Sequence, residues 1–146
     1  MKVTSNFLKI DPPFAFTAEL APTLKQLLTE EHKTLAEINL IFTNNTEILQ
    51  INKRFLNHHY YTDVITFPDN KRNSVSGDIY VSVDQVIINA EAYKYSFISE
   101  LSRVIIHGIL HLAGYKDGTE AEKSVMRRKE DVYLCRFKWE NIIIEK

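Results

Sequence analysis

The sequence predicts an α+β fold, in which a mixed sheet of about four strands packs with several helices. Segments whose apolar residues alternate with polar ones, as in strands, are interleaved with segments whose apolar residues recur at helical spacing. The chain has 146 residues, of which 45% are hydrophobic and 11% aromatic, and no repeat or proline-rich linker divides it. A chain of this length can bury a sizeable core. We therefore predict a single domain spanning residues 1–146.

The N-terminal part of the chain is predicted to contain two strands and two helices. Residues 2–8 are expected to form a strand, and residues 20–33, with leucines at helical spacing, a helix. Residues 36–43 partly alternate, which indicates a second strand. A second helix is predicted over residues 46–56, because residues 44–46 are all of types that favour the helix N-cap.

Two further strands and three helices are predicted after this point. The β-branched residues 62–67 form a strand that Pro68 ends, the polar residues 69–76 form a loop, and residues 78–83 alternate as a strand. The three helices cover residues 84–93, 98–113 and 120–138.

Two of these helices have an identifiable start. Asp84 is suited to cap the first of the three, and Thr119 and Glu122 have the Thr-x-x-Glu spacing of a capping box at the start of the last one.

Composition excludes several classes of protein. The single cysteine, Cys135, excludes an internal disulfide and a zinc site built from cysteines. The N-terminus lacks the apolar stretch of a secretory signal, and no run of 18 apolar residues is present. We therefore expect a protein of the cytoplasm without a membrane partner. The net charge of −1 implies that any binding of nucleic acid depends on a local basic patch.

A candidate metal site lies in the predicted helix 98–113 and the residues after it. His107 and His111 are four residues apart, so they share one helix face and can hold one ion. Gly114 can end the helix and turn the chain back, which lets Asp117 supply a third ligand. These offsets match those of the metzincin zinc proteases. Three protein ligands with an open position are typical of catalytic rather than structural zinc.

Two other interpretations of these residues compete with the metal site. The histidines can be hydrogen-bonded core residues on the apolar face of the helix. A metalloprotease would need a glutamate at position 108 as general base, whereas this position is Gly108, which argues against peptidase chemistry. The glycine is instead expected to allow close backbone packing or access for a bulky substrate.

Residues 107–115, His-Gly-Ile-Leu-His-Leu-Ala-Gly-Tyr, resemble the signature of the YbeY family of bacterial metal-dependent endoribonucleases. Residues 62–68 and 77–82 resemble two strand motifs of that family, and the acidic helix after residue 119 resembles the helix that follows its metal motif. The matches span roughly residues 46–135 in the family's order.

The resemblance implies an α+β fold with a metal in a cleft beside the sheet. It also implies cleavage of single-stranded RNA, especially near the 3′ end of small-subunit ribosomal RNA, and a role in ribosome quality control. The expected partners are ribosomal RNA, the small ribosomal subunit and its assembly factors. The expected cofactor is one divalent metal per chain. Two histidines and one aspartate suit zinc, although nickel, cobalt or manganese can occupy the same ligands.

The sequence departs from the commonest pattern of the family at three positions. The motif usually ends Gly-Tyr-Asp-His, so that Asp117 replaces the third histidine and Lys116 the preceding aspartate. An arginine of the family corresponds, in an ungapped count, to Leu56. Four cations are candidates to replace its charge: Lys53, Arg54, Arg103 and Lys116.

Three residues are predicted to assist the metal. Lys116 can supply the missing positive charge, and His59, like His58 beside it, lies in a loop from which it can reach the cleft. Asp78 is a candidate to orient one of the histidine ligands. Alternatively, the two histidines are solvent-exposed loop residues and Asp78 has a structural role at the end of its strand.

Basic and aromatic residues near the motif are candidates for binding RNA. They are Lys71, Arg72, Arg127, Arg128, Lys129, Tyr60, Tyr61 and Tyr115. Alternatively, the basic residues 127–129 form a solvated helix face and the tyrosines occupy core positions. The competing functions are a ribosome assembly factor whose metal is structural and another metal-dependent hydrolase.

Overall fold

The computed structural model describes residues 1–56 and 62–146, and a mixed four-stranded sheet lies at the centre of the fold. In the described residues the chain forms six strands: β1 (Lys2–Phe7), β2 (Phe14–Phe16), β3 (Thr34–Thr43), β4 (Val64–Pro68), β5 (Ser74–Ser82) and β6 (Ile143–Glu145). The central sheet has the order β1-β3-β5-β4, with the first three strands parallel and β4 antiparallel at the edge. The predicted α+β fold with a four-stranded mixed sheet is confirmed.

Five α-helices cover the described part of the chain around this sheet. They are α1 (Leu20–Glu30), α2 (Asn45–Ile51), α3 (Val83–Tyr93), α4 (Phe97–Leu112) and α5 (Glu120–Arg136). Helix α2 continues into a π-helical turn over Asn52–Leu56. None of the helices in the described ranges has the length and apolar character needed to cross a membrane.

Helix α4 lies in the middle of the packing and carries the metal motif. Ten of its sixteen residues are buried, and it packs against β4 and β5 as well as against α3 and α5. A Cβ atom added to Gly108 would lie 2.9 Å from Cγ2 of Ile79 and 3.5 Å from Cγ2 of Val64. The glycine therefore allows the helix to lie directly on the sheet. A glutamate has no room here, which agrees with the argument against a peptidase.

Local capping explains where three of the helices begin. The Asn44 side chain accepts a hydrogen bond from Glu47 N at the start of α2, and Thr119 and Glu122 form the predicted capping box of α5. Helix α3 begins earlier than predicted, because Ser82 rather than Asp84 accepts the bond from Gln85 N. The Asp84 carboxylate instead accepts a bond from the backbone of Asn45, which joins α3 to α2.

Two parts of the sheet structure differ from the prediction. Strand β5 begins at Ser74 rather than at residue 78, because residues 74–77 pair with β3, Gly77 also pairs with β4, and Val75 is buried in the core. Strands β2 and β6 form a separate antiparallel pair that was not predicted. Each has only three residues, and their partners are remote in the sequence, so no local pattern distinguishes them. The pair holds the C-terminal segment, with buried Trp139 and Ile143, against the core.

Candidate metal centre and cleft

The structure brings together the three residues that were predicted to hold a metal. Oδ2 of Asp117 lies 3.2 Å from Nε2 of His107 and 3.2 Å from Nε2 of His111. The histidines lie one turn apart on α4. Helix α4 ends beside Gly114, whose φ of +111° turns the chain back as predicted and returns Asp117 to the imidazoles. All three donor atoms lie within 4.8 Å of one another.

Hydrogen bonds hold both imidazole rings in the orientation that a metal site needs. Nδ1 of His111 lies 2.9 Å from the carbonyl oxygen of Tyr115, which can only accept, so this nitrogen carries the proton. Nδ1 of His107 lies 2.6 Å from Oε2 of Glu130 and donates to that carboxylate. Both Nε2 atoms therefore present lone pairs toward Asp117. A histidine that ligates a metal typically donates its other ring nitrogen to a carboxylate or carbonyl oxygen in this way.

The donor set fits a divalent transition metal such as zinc. Ligand atoms that share one zinc in tetrahedral geometry are about 3.4 Å apart, given bond lengths of about 2.1 Å, and the two nitrogen–oxygen distances are close to this value. Two nitrogens and one oxygen leave a fourth position free. The group can therefore bind a metal ion, while ligation by each residue remains a prediction.

Negative charge around His107 favours a cation at this point. Burial lowers the pKa of the His107 imidazole, but the hydrogen bond and charge of Glu130, with the charges of Asp63 and Asp117, outweigh it and raise the pKa. Burial raises the pKa of Asp63, against the opposing charge of His107. The site attracts positive charge, whether a proton or a metal ion.

Glu31 connects the loop that follows α4 to the first helix. Its side chain is 6% exposed, and its carboxylate accepts hydrogen bonds from the hydroxyl groups of Tyr115 and Tyr133 and from Nζ of Lys129. Tyr115 is the residue whose carbonyl oxygen orients His111. The Glu31 carboxylate therefore fixes the position of that carbonyl relative to α1 and α5.

Replacement of Glu31 by alanine is expected to lower the free energy of unfolding by about 2 kcal/mol, because three buried or half-buried donors lose a charged acceptor. Burial raises the pKa of Glu31, but its hydrogen bonds with Tyr115, Tyr133 and Lys129 outweigh burial and lower it. The stabilisation is therefore complete above the ordinary pKa of 4.5 and is lost as the pH falls through the lower folded pKa.

Urea unfolding of both proteins between pH 7 and pH 3 measures this dependence. Glu30→Ala is the control, since Glu30 forms an ion pair with the half-exposed Arg136 that is worth at most about 1 kcal/mol. An equal loss of stability in the two variants, with the same pH dependence, would contradict the role of Glu31.

Glu130 performs the orienting role that was predicted for Asp78. The carboxylate of Asp78 accepts a hydrogen bond from Nδ2 of Asn39, 2.8 Å away on the neighbouring strand. Residues of a strand alternate between its two faces, and Ile79 is the residue that contacts α4. Asp78 therefore lies on the opposite face of the sheet from the histidines, and the structure does not bring it to the site.

Replacement of Glu130 by glutamine is expected to weaken metal binding about 10- to 100-fold, because the partner of His107 loses its charge while its shape is kept. A competition titration with a chromophoric zinc chelator measures this change. Glu122→Gln is the control, since it also removes a carboxylate from α5, but one that belongs to the capping box and does not contact His107. Equal zinc affinity in the wild type and the Glu130 variant would refute the orienting role.

A cleft of about 640 Å³ opens beside the three candidate ligands. Leu56, which by the ungapped count corresponds to an arginine of the resembled family, lines it and is 39% exposed. Lys123 and Arg127 line it from α5. Among the described residues Arg127 forms no ion pair. Arg127 is one of the residues predicted from the sequence to bind RNA, whereas Lys123 is not among them.

The other candidate cations are placed differently. Arg103 lines the cleft, but its guanidinium binds Glu130 at 2.8 Å and Asp131 at 2.7 Å. It therefore helps to hold Glu130, the partner of His107, in place. Lys116 is exposed beside Asp117. Lys53 and Arg54 are exposed on the π-helical turn.

The remaining predicted residues do not join the described site directly. Lys71 and Arg72 lie in the turn between β4 and β5, Arg128 is exposed on α5, and Lys129 and the Tyr115 hydroxyl bind Glu31. The predicted catalytic residue His59, with His58, Tyr60 and Tyr61, falls outside the described residues.

Comparisons with known proteins give one family over most of the chain. The family model described as Endoribonuclease YbeY matches residues 4–138. A protein of this name from Cytophaga hutchinsonii is 43% identical over 134 residues, which cover 90% of this chain and 94% of that relative. Another, from Bacteroides thetaiotaomicron, is 37% identical over 92% of this chain and 98% of its own length.

A solved structure supports the same assignment. The solution structure of TM1509 from Thermotoga maritima matches with a TM-score of 0.59 and 29% identity, over 92% of this chain and 87% of that one. With the resemblance in the metal motif and the arrangement of the three side chains, these matches show that the chain belongs to the Endoribonuclease YbeY family.

Proposed function

We propose that this protein is a metal-dependent endoribonuclease that cleaves single-stranded RNA, acting in the cytoplasm on small-subunit ribosomal RNA near its 3′ end. The observation that carries the proposal is the convergence of two imidazole nitrogens on the Asp117 carboxylate at the edge of an open cleft. Membership of an endoribonuclease family supports the reaction class. The assignment to ribosomal RNA, with the small ribosomal subunit and its assembly factors as partners, rests on the resemblance to that family.

The residues of the site have separate roles in this proposal. His107, His111 and Asp117 hold one divalent ion, for which zinc fits the donor set best. When bound, such an ion supplies a Lewis acid for the phosphodiester and lowers the pKa of a water molecule. Glu130 and the Tyr115 carbonyl keep the imidazoles in one orientation.

Phosphate binding is assigned to the exposed cations of α5. Arg127 and Lys123 line the cleft on the side that faces the candidate ligands. In the described part of the chain no carboxylate forms an ion pair with Arg127, so it can contact a phosphate, whereas Arg103 is held by two carboxylates. Because the net charge of the chain is −1, this binding is expected to be weak and to decrease with added salt.

Cleavage of labelled RNA tests the proposal. We expect the zinc-loaded protein to cut an unstructured oligonucleotide, to leave a duplex of the same sequence intact, and to lose activity in a chelator. Addition of zinc should restore the activity. Cleavage that continues unchanged in the chelator would contradict the metal-dependent mechanism.

Leu56 favours one alternative, a ribosome assembly factor whose metal is structural. Its apolar side chain stands in the cleft where the family has an arginine. In that case the protein binds zinc and RNA but does not cut the oligonucleotide. The same cleavage assay therefore distinguishes the two functions.

A further inference from the structure

One buried carboxylate borders the cleft beside the candidate ligands. Glu100, in the first turns of α4, is 4% exposed, and its buried Oε1 atom has no hydrogen-bond partner among the described residues. A buried polar atom without a partner is unfavourable and uncommon in folded proteins. Because Glu100 also lines the cleft, its carboxylate lies at the edge of the space that a ligand would fill.

Glu100 lies on α4 farther from the loop of Asp117 than either histidine. It precedes His107 by seven residues, which is about 10 Å along a helix. It is not one of the three residues whose donor atoms lie within 4.8 Å of one another. In the proposal that follows, Glu100 therefore contacts a part of the substrate beside the reacting phosphate.

The charges around Glu100 indicate what kind of group it binds. Burial and the charge of Asp63 and Glu130 raise the pKa of Glu100, while the charges of Arg103 and Arg127 lower it. The unpartnered Oε1 atom is a hydrogen-bond acceptor that repels a phosphate, so the group that it binds is a donor without negative charge, while Arg127 remains the phosphate contact. The exocyclic amino group of a nucleobase is such a donor, and carboxylates accept from it, as with N4 of cytosine.

Aromatic side chains for stacking lie in the same cleft. Tyr93, at the end of α3, is 61% exposed, and Tyr95 is 47% exposed. Their ring centroids are 6.3 Å apart, and both line the cleft. Exposed aromatic rings are the usual stacking surface for unpaired bases.

We propose that the cleft contains a base-reading subsite, in which Glu100 accepts a hydrogen bond from the amino group of an unpaired base that stacks on Tyr93 or Tyr95. This deepens the proposed function, on which it rests, by giving the RNA a preferred base near the cut. The base is one that carries an exocyclic amino group, as cytosine, adenine and guanine do, rather than uracil, which carries a carbonyl oxygen where cytosine carries the amino group.

Fluorescence anisotropy with labelled 12-nucleotide oligo(C) and oligo(U) tests the subsite at pH 7. These two pyrimidines have the same size and differ at the amino position. We expect the wild-type protein to bind oligo(C) about fivefold more tightly than oligo(U). This factor corresponds to the low end of the discrimination that hydrogen bonds to a base edge provide. Equal affinities in the wild type would overturn the proposal without any variant.

Two kinds of variant locate the effect. Glu100→Gln keeps the shape of the side chain, and we expect it to reduce the preference for oligo(C) to less than about twofold. Tyr93→Ala and Tyr95→Ala should weaken the binding of both oligonucleotides. Glu37→Gln is the matched control, since it removes an exposed carboxylate on β3 and should keep the preference. An unchanged preference in a folded Glu100→Gln protein would overturn the assignment.

Binding and cleavage must be measured separately, so that this proposal and the nuclease assignment can fail independently. A base preference without any cleavage would contradict the nuclease and support the subsite. Metal-dependent cleavage with equal affinity for the two oligonucleotides would support the nuclease and contradict the subsite.

Discussion

Replacement of His111 by alanine is expected to reduce RNA cleavage about a thousandfold or more. The substitution removes one of two imidazole nitrogens that converge on Asp117, so the remaining donors hold a metal poorly. A metal contributes several kcal/mol of transition-state stabilisation, and about 4 kcal/mol corresponds to a thousandfold change in rate. His107→Ala should have the same effect. The cleavage rate of the double variant should be about equal to that of each single variant, because the two residues act as one unit.

Initial rates on a labelled single-stranded RNA at saturating zinc measure this loss. His32→Asn is the matched control. It removes an exposed histidine whose φ of +60° asparagine tolerates, and it should keep full activity. Cleavage by the His111 variant within about tenfold of the wild type would show that this metal site does not carry the reaction.

Replacement of Gly77 by alanine is expected to lower the free energy of unfolding by about 3 kcal/mol. An added Cβ would lie 2.6 Å from the backbone oxygen of Phe67 and 2.8 Å from Cδ2 of Leu112. The first contact is with backbone of β4, which cannot move without separating from β5. The second is with the end of α4, one residue after His111. Strands β4 and β5 and helix α4 must therefore shift to accommodate the alanine.

Urea unfolding of the two proteins measures this loss, and Gly118→Ala is the matched control. A Cβ at Gly118 would meet only Oε1 of Glu122, at an ordinary 3.5 Å, so its stability should change by less than about 0.5 kcal/mol. Equal stability of the Gly77 variant and the wild type would show that the strand pairing is looser than described.

Local signals predicted those features of the fold that neighbouring residues determine. The N-cap at Asn44, the capping box at Thr119 and the turn at Gly114 depend on groups within a few residues, so sequence spacing identifies them. The pairing of β2 with β6 depends on contacts across most of the chain. Periodicity within either three-residue segment cannot show such a pairing.

The candidate ligands were predictable for the same reason, whereas their support was not. His107, His111 and Asp117 lie within eleven residues of one another, on a helix and the turn that follows it. The partner of His107 comes instead from α5, 23 residues away. A signal for Glu130 exists, because it lies one turn after Met126 on the buried face of α5, where a carboxylate is rarely left unpaired.

The placement of Asp78 could not be predicted from its motif. A carboxylate in a strand is a candidate partner for the histidines only if it lies on the face that α4 covers, and strand alternation directs Asp78 to the other face. The sequence pattern alone does not show on which side of the sheet α4 packs. Once Ile79 is known to face that helix, the position of Asp78 follows.

The most direct test of the central claim is the metal content of the purified protein, measured by mass spectrometry after loading with zinc and removal of free metal. Asp117→Ala and Asp117→His are measured in parallel, with circular dichroism to confirm that each is folded. We predict about one zinc per chain in the wild type and in the histidine variant, and a clear loss in the alanine variant. A wild-type protein that takes up no metal, or an alanine variant that retains as much as the wild type, would contradict a site built from His107, His111 and Asp117.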